Sequence, residues 1–185
     1  MADRSPTYAL TFRPARPGDA NTIVGLVESA YRGDASRVGW TTEADLLDGQ
    51  RTDATSIAGL IQSPDDCLLL ADCEGAVVSS CHLRREGEAA YFGMFAVVPQ
   101  LQANGLGRRV LAEAERHART AFGAKEMRMT VIDCREELIA WYERRGYART
   151  GEHLPFPYGD ARYGLPRRDD LRFETLRKRL IEPTS

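Results

Sequence analysis

The chain has 185 residues, 43% hydrophobic and 28% charged, with a formal net charge of −2. That length suits one domain, residues 1–185, with a core of its own, and the near-balance of charge argues against a protein that binds duplex nucleic acid. No apolar run approaches membrane-spanning length and the opening MADRSPTYAL has no signal-peptide core, so a soluble cytoplasmic protein is expected. Cys67, Cys73, Cys81 and Cys134 show neither CxxC pairing nor zinc-like spacing, which predicts reduced, mostly buried thiols and no metal site.

Residues 8–13 (YALTFR) alternate like a short strand. Pro17 and Asp19 then open a helix whose apolar face is Ile23, Leu26, Val27, Ala30 and Tyr31. Residues 32–41 read as an irregular loop holding Trp40, and Thr42 with Asp45 resembles a cap before a short helix through Leu46 and Leu47. A helix over 55–62 stops at Ser63-Pro64. Residues 67–71 (CLLLA) and 76–83 (AVVSSCHL) make two strands around a Glu74-Gly75 turn, and a second turn feeds a central strand over 91–98.

After Pro99 and a polar turn, Gly105 and Gly107 start a helix with Leu106, Val110, Leu111, Ala114, Ala118 and Phe122 on one face, ended by Gly123. Arg108 and Arg109 lie in its first turn, where the helix dipole disfavours cations. Exposed backbone N–H groups beside arginines suit a bound anion such as a diphosphate; the alternative is a helix that tolerates two arginines. The glycines fit neither a P-loop, lacking G-K-[ST], nor a dinucleotide fingerprint, since Val110 stands at the third glycine position. A strand over 126–132, a helix over 136–145 closed by Gly146, a strand from Tyr147 to Thr150, a loop over 153–170 and a last strand over 171–180 complete the chain. The order predicts a mixed α/β (α+β) domain: central antiparallel strands, flanking helices, and some parallel pairing from two β–helix–β units.

Residues 98–107 (VPQLQANGLG) resemble the acetyl-CoA signature [RQ]-x-x-G-x-[GA] of the GNAT N-acetyltransferase superfamily, with Gln102, Gly105 and Gly107 in the defined places. Residues 141–147 (WYERRGY) resemble its second signature, a helix ending Y-E-x-x-G-[FY]. The element order agrees over about residues 8–180. The resemblance implies the GNAT fold with a splayed parallel pair, and acetyl-CoA as cosubstrate. It places the pantetheine arm along Phe95, Ala96 and Val97, and the diphosphate on the turn from Ala103 and Asn104 through Gly105, Leu106 and Gly107 to Arg108. Family members often carry a basic residue or glycine where Ala103 and Asn104 stand here, which leaves the backbone cradle rather than side chains to hold phosphate there.

The resemblance also aligns Tyr142 with the tyrosine used as general acid toward the departing thiolate; otherwise it is a tyrosine packed beside Trp141. No acidic residue lies on the central strand, so Asp133, His82 and Glu136 are base candidates, unless the amine arrives already neutral. Arg135 stands where relatives often carry asparagine; it could bind CoA phosphate or an acceptor carboxylate, or be a solvated helix-start residue. The fold assigns Tyr31, Trp40, Glu43 and the loop over 156–168 to the acceptor side, where Arg162, Arg167 and Arg168 with Phe156, Tyr158 and Tyr163 suit a small acceptor bearing a carboxylate or ring. A surface flap pinned by its aromatics is the other reading of that loop. His117 and His153 read as structural, and Cys81 and Cys134 lack the histidine setting of a covalent route.

The expectation is thus an N-acetyltransferase acting on a small-molecule or peptide amine by direct attack in a ternary complex. The competing expectation is a non-catalytic acyl-CoA-binding or regulatory module. The acceptor and the oligomeric state stay open, a homodimer included.

Overall fold

The computed structural model describes residues 9–102 and 104–180. Its elements are β1 (Leu10–Pro14), α1 (Ala20–Tyr31), α2 (Gly33–Ser36), β2 (Leu47–Asp48), α3 (Ala54–Gln62), β3 (Asp66–Cys73), β4 (Ala76–Glu86) and β5 (Ala89–Val97). Then follow α4 (Leu106–Phe122), β6 (Glu126–Ile132), α5 (Glu136–Glu143), β7 (Ala148–Pro155), β8 (Leu165–Pro166) and β9 (Arg172–Arg179). Seven strands form one sheet in the order β1-β3-β4-β5-β6-β9-β7, and β2 pairs with β8 apart from it.

The sheet is covered on both faces, and β3 shows why its sequence is apolar without alternation. Leu68 and Leu70 face α1 and α3, meeting Ile23, Val27 and Ile57. Leu69 and Ala71 face the opposite core with α4 and α5, meeting Val110, Leu111 and Ile139. A strand buried on two faces must be apolar at consecutive positions. The small α4 residues Ala114 and Ala118, both fully buried, seat that helix against the sheet. Glycines in left-handed conformation bound it, Gly105 at φ 75° and Gly123 at φ 68°, a region side chains with a Cβ disfavour. At its C-terminal end the Gly123 N–H reaches the Arg119 carbonyl at 3.1 Å and the Ala124 N–H reaches Ala118 at 3.0 Å, satisfying two orphan acceptors.

Three sequence expectations change. The short helix after Thr42 is a single turn: Leu46 and Leu47 both donate to the Glu43 carbonyl at 2.9 Å, and the chain then pairs Leu47 and Asp48 with Pro166 and Leu165. Pairing to a distant strand outweighs local helix signals there. Part of the 32–41 loop is helical, as α2. The strand from Tyr147 is longer than expected, because a break in register between Arg149 and His153 lets β7 resume along β9 as far as Pro155. The expected strand start at Tyr8 falls outside the described residues.

The parallel pairing is confined to one place. β5 and β6 run parallel over Ala89–Tyr91 and Glu126–Arg128 only, then part. β6 and β7 are not neighbours, because β9 lies antiparallel between them. Just beyond the parting, Ser80 pairs with Ala96 and His82 with Gly93, so Met94 and Phe95 together stand opposite Cys81. This bulge puts Met94 at φ 44°, a strained conformation for a residue with a side chain. The sheet therefore opens between β5 and β6, next to a bulged strand edge.

Candidate active site

Two cavities meet in that opening. The smaller, about 190 Å³, lies between β5, the start of α4, and α5, and is lined by Phe95, Val97, Gly105, Gly107 and Trp141 among others. The larger, about 550 Å³, runs along the parted strands under the 153–170 segment. Tyr31, Phe95, Arg135, Leu138 and Tyr142 line both, so the two cavities adjoin.

The edge of β5 explains the shape of the smaller cavity. Val98 donates to Val78 at 3.0 Å and Ser79 donates to the Ala96 carbonyl at 2.7 Å, so positions 96 and 98 turn toward β4. Phe95 and Val97 therefore present their backbone groups to the gap. Side chains meet both carbonyls: the Tyr31 hydroxyl donates to Phe95 at 2.7 Å, and Gln102 Nε2 donates to Val97 at 3.2 Å. Gln102 Oε1 in turn accepts from the Thr41 N–H at 3.2 Å, drawing the segment before Thr42 over the cavity. Trp40 comes with it, its ring 6.4 Å from that of Trp141, and lines the smaller cavity rather than the acceptor side expected for it.

Of the residues expected to bind cofactor, Phe95, Val97, Gln102, Gly105, Gly107 and Arg108 line the smaller cavity. Ala96 faces β4, Leu106 is buried in the core, Asn104 is exposed, and Ala103 lies outside the described residues. The start of α4 has no side-chain cap and no acidic residue in its first turn among the described residues, so its dipole is left for an external anion. Arg145 stands opposite. Its guanidinium stacks on Trp141 at 3.6 Å and donates to the Trp141 carbonyl at 2.6 Å, while its Nε is buried without a partner. Burial, then the charges of Arg144 and Arg108, lower its pKa from the ordinary value, as befits guanidiniums gathered without anions. An uncapped helix start, a slot walled by Gly107 and an arginine that pairs with no carboxylate among the described residues fit the diphosphate and arm of acetyl-CoA.

Tyr142 sits where the cavities join. α5 begins with Glu136 and Glu137, which suit its dipole, and turns Ile139 and Tyr142 inward one helical turn apart. The ring of Tyr142 is held by Trp141, Tyr147 and Phe92 at centroid distances of 5.0, 5.7 and 6.5 Å. Burial, reinforced by Tyr31, raises its pKa well above the ordinary phenol value, so it stays protonated as a donor. Tyr31 is likewise pushed up to about 12, by burial and by Glu43.

The floor of the larger cavity is a buried charge cluster. Glu43, 8% exposed, is paired with Arg32 and with Arg135, both at 2.8 Å, and Arg135 also donates to the Thr41 hydroxyl. Burial by itself would raise the Glu43 pKa, but Arg135, Arg51 and Arg32 outweigh it and hold the carboxyl below its ordinary value. Arg135 is thus neither solvated nor confined to the cofactor side. Arg51 and Arg32 had no sequence signal, since each lies where no periodicity marks a face. Arg145 had one: it follows Trp141 by four residues, and so shares its helix face.

Several expected roles find no support in the geometry. Asp133 pairs with Arg172, Glu136 with Arg149, and His82 with Asp66, and none of the three carboxyl or imidazole groups lines the larger cavity. The loop arginines are tied up in exposed ion pairs: Arg162 with Asp160 at 2.5 Å, Arg167 with Asp48 at 2.6 Å, and Arg168 with Asp170 at 2.6 Å. Phe156 packs with Leu47, Ile132 and Leu171, and the Tyr158 hydroxyl accepts from the Leu171 N–H at 2.7 Å, so only Pro157 and Tyr163 of that loop reach the cavity. All four cysteines are free; Cys67 and Cys81 are buried, Cys73 half-buried and Cys134 exposed, and burial raises the thiols of Cys67, Cys81 and Cys134 rather than activating them. Among the described residues no cluster of His, Cys, Asp or Glu could hold a metal, and no helix is long and apolar enough to cross a membrane.

The sequence matches the Acetyltransferase (GNAT) family over residues 33–147. A comparison with curated protein sequences finds no match. Among solved structures the chain is similar to yncA from Salmonella typhimurium, determined with acetyl-CoA, at 17% identity and TM-score 0.68, covering 95% of this chain and 96% of that one. It is similar to the ribosomal-protein-S18-alanine N-acetyltransferase from Escherichia coli at 13% identity and TM-score 0.69, covering 95% and 96%. It is also similar to nourseothricin acetyltransferase at 18% identity and TM-score 0.66, covering 94% and 99%. These likenesses concern the fold, while the family match spans more than half of the chain and both signatures. The chain therefore belongs to the GNAT acetyltransferase family, with acetyl-CoA as its cosubstrate.

Proposed function

We propose that the protein transfers the acetyl group of acetyl-CoA to a primary amine by direct attack within a ternary complex, with Tyr142 as the general acid. The observation that carries this reading is the junction of the two cavities at Tyr142, beside the Met94–Phe95 bulge. Bound acetyl-CoA supplies a thioester whose carbonyl carbon accepts the amine as the C–S bond breaks. Tyr142, neutral because it is buried, gives its proton to the departing sulfur and regains one from the nitrogen by way of water. Phe95, Val97 and Gln102 line the arm, while the turn from Gly105 to Arg108, with Arg145, takes the diphosphate.

Glu43, which lines the larger cavity with Tyr142, is not free to act as base, since it is committed to two arginines. The surplus of positive charge around it does part of that work, because it disfavours an ammonium and favours the neutral amine. A non-catalytic binder needs no second cavity; here one of about 550 Å³ opens onto the thioester position. The acceptor is a small molecule or peptide, encountered in the cytoplasm. Fold relatives named for a ribosomal-protein alanine and for nourseothricin show that architecture leaves this choice open.

The test is calorimetric titration with acetyl-CoA followed by thiol release against an amine panel. Binding near micromolar strength with amine-dependent release supports the reading. Binding without release for every amine favours the binder, and a flat titration of folded protein refutes both.

A further inference from the structure

The larger cavity contains three arginines, Arg51, Arg128 and Arg135, and they differ in what they face. Arg128 is paired with Glu126 at 2.5 Å and also feels Glu86 and Glu152, so the acidic mouth of the cavity already has its cation. Arg135 is spent on Glu43 and Thr41. Arg51 has no hydrogen bond or ion pair from its guanidinium among the described residues; it rests over the Tyr31 ring at 5.5 Å. It is nevertheless held in place, because the backbone N–H groups of Arg51 and Thr52 both donate to Glu28 Oε1 of α1, at 2.7 and 2.9 Å.

Charge counting at this end gives the same answer. Three guanidiniums, of Arg32, Arg51 and Arg135, lie around the Glu43 carboxylate, and the Glu28 carboxylate sits against the Arg51 backbone, leaving a surplus of one positive charge at this end. Two donors of Arg32, Nε and Nη2, are buried without partners behind the cluster. Among the cavity's arginines Arg51 alone keeps a planar fork of uncommitted donors among the described residues, and such a fork suits a carboxylate.

Resting on the acetyltransferase reading above, we infer that the acceptor is a small primary amine that also carries a carboxylate, as an amino acid does, and that Arg51 binds that carboxylate. The cavity volume of about 550 Å³ fits a molecule of this size. Tyr31 lies between the two functions: its ring supports Arg51 and its hydroxyl holds the Phe95 carbonyl at the bulge, so a carboxylate on Arg51 leaves an amine a few bonds away facing the thioester position. Glu28 is then a positioning residue, acting through the backbone of Arg51.

The experiment uses matched acceptors that differ only in the carboxylate, namely L-methionine against 3-(methylthio)propylamine and L-phenylalanine against 2-phenylethylamine, with spermidine as a third class. Thiol release gives kcat/KM for each, and calorimetry gives affinity for each in protein saturated with CoA. One arginine–carboxylate contact corresponds to a preference of about tenfold to a hundredfold for the carboxylated member. Arg51→Gln should bring that ratio close to one, mainly through KM, and Arg51→Lys should restore part of it. Acetyl-CoA affinity, measured on the same samples, reports that the variants are folded. A ratio near one in the wild type, a preference for spermidine, or a ratio unchanged in Arg51→Gln overturns the inference. If no amine is turned over, the binding ratio decides by the same criteria. Failure to bind acetyl-CoA at all would instead remove the acetyltransferase reading on which it rests.

Discussion

Replacing Tyr142 by Phe removes one oxygen and little else. The Tyr142 hydroxyl makes no hydrogen bond among the described residues, while its ring is held by three aromatic neighbours that phenylalanine would meet equally well. The cost to stability should therefore stay below about 1 kcal/mol. Loss of a general acid removes about a hundredfold to ten-thousandfold in rate, about 2.7–5.4 kcal/mol of transition-state stabilisation at about 1.36 kcal/mol per decade. Because burial raises the Tyr142 pKa, the wild-type phenol keeps its proton through neutral and mildly alkaline pH, so the loss should not vary across that range. Stopped-time thiol release at saturating acetyl-CoA reads kcat, and a urea melt reads stability. A fall in kcat of less than threefold in a folded variant would refute the assignment of Tyr142 as acid.

Three further variants and one pH dependence test the same geometry. Glu43→Gln leaves Arg32 and Arg135 facing each other in a buried site, which should destabilise the fold by about 3–5 kcal/mol in urea. Since the folded-state pKa of Glu43 is depressed, its contribution is present at neutral pH and should be lost as the pH falls below the ordinary value of 4.5; a wild-type melt insensitive to acid in that range counts against the cluster. Gly107→Val should weaken acetyl-CoA binding by more than tenfold at nearly constant urea midpoint, because even its Cβ would stand 3.5 Å from Trp141 and 3.6 Å from Phe95, and the further methyls must enter the slot. Arg145→Met should cost about tenfold to a hundredfold in acetyl-CoA affinity but leave S-acetylpantetheine, which has no diphosphate, unaffected; equal losses for both ligands would show a packing defect instead.

The sequence by itself determined much of the donor side. The glycine-started helix, its buried stripe through Ala118 and its stop at Gly123 are local patterns, because backbone conformation and helical spacing act over a few residues. The same holds for the strand runs of the central sheet and for Tyr142 on the inner face of its helix. Only tertiary structure decided the acceptor side. Arg162, Arg167 and Arg168 looked like site residues and are bound to neighbouring aspartates at the surface, whereas Arg51, from an unremarkable stretch, stands in the cavity because Glu28 fixes its backbone. The insertion of β9 between β6 and β7 depends likewise on pairings between residues tens of positions apart. Local propensity carries no record of which distant partner a charge or a strand edge will find, and the choice of acceptor is made by those partners.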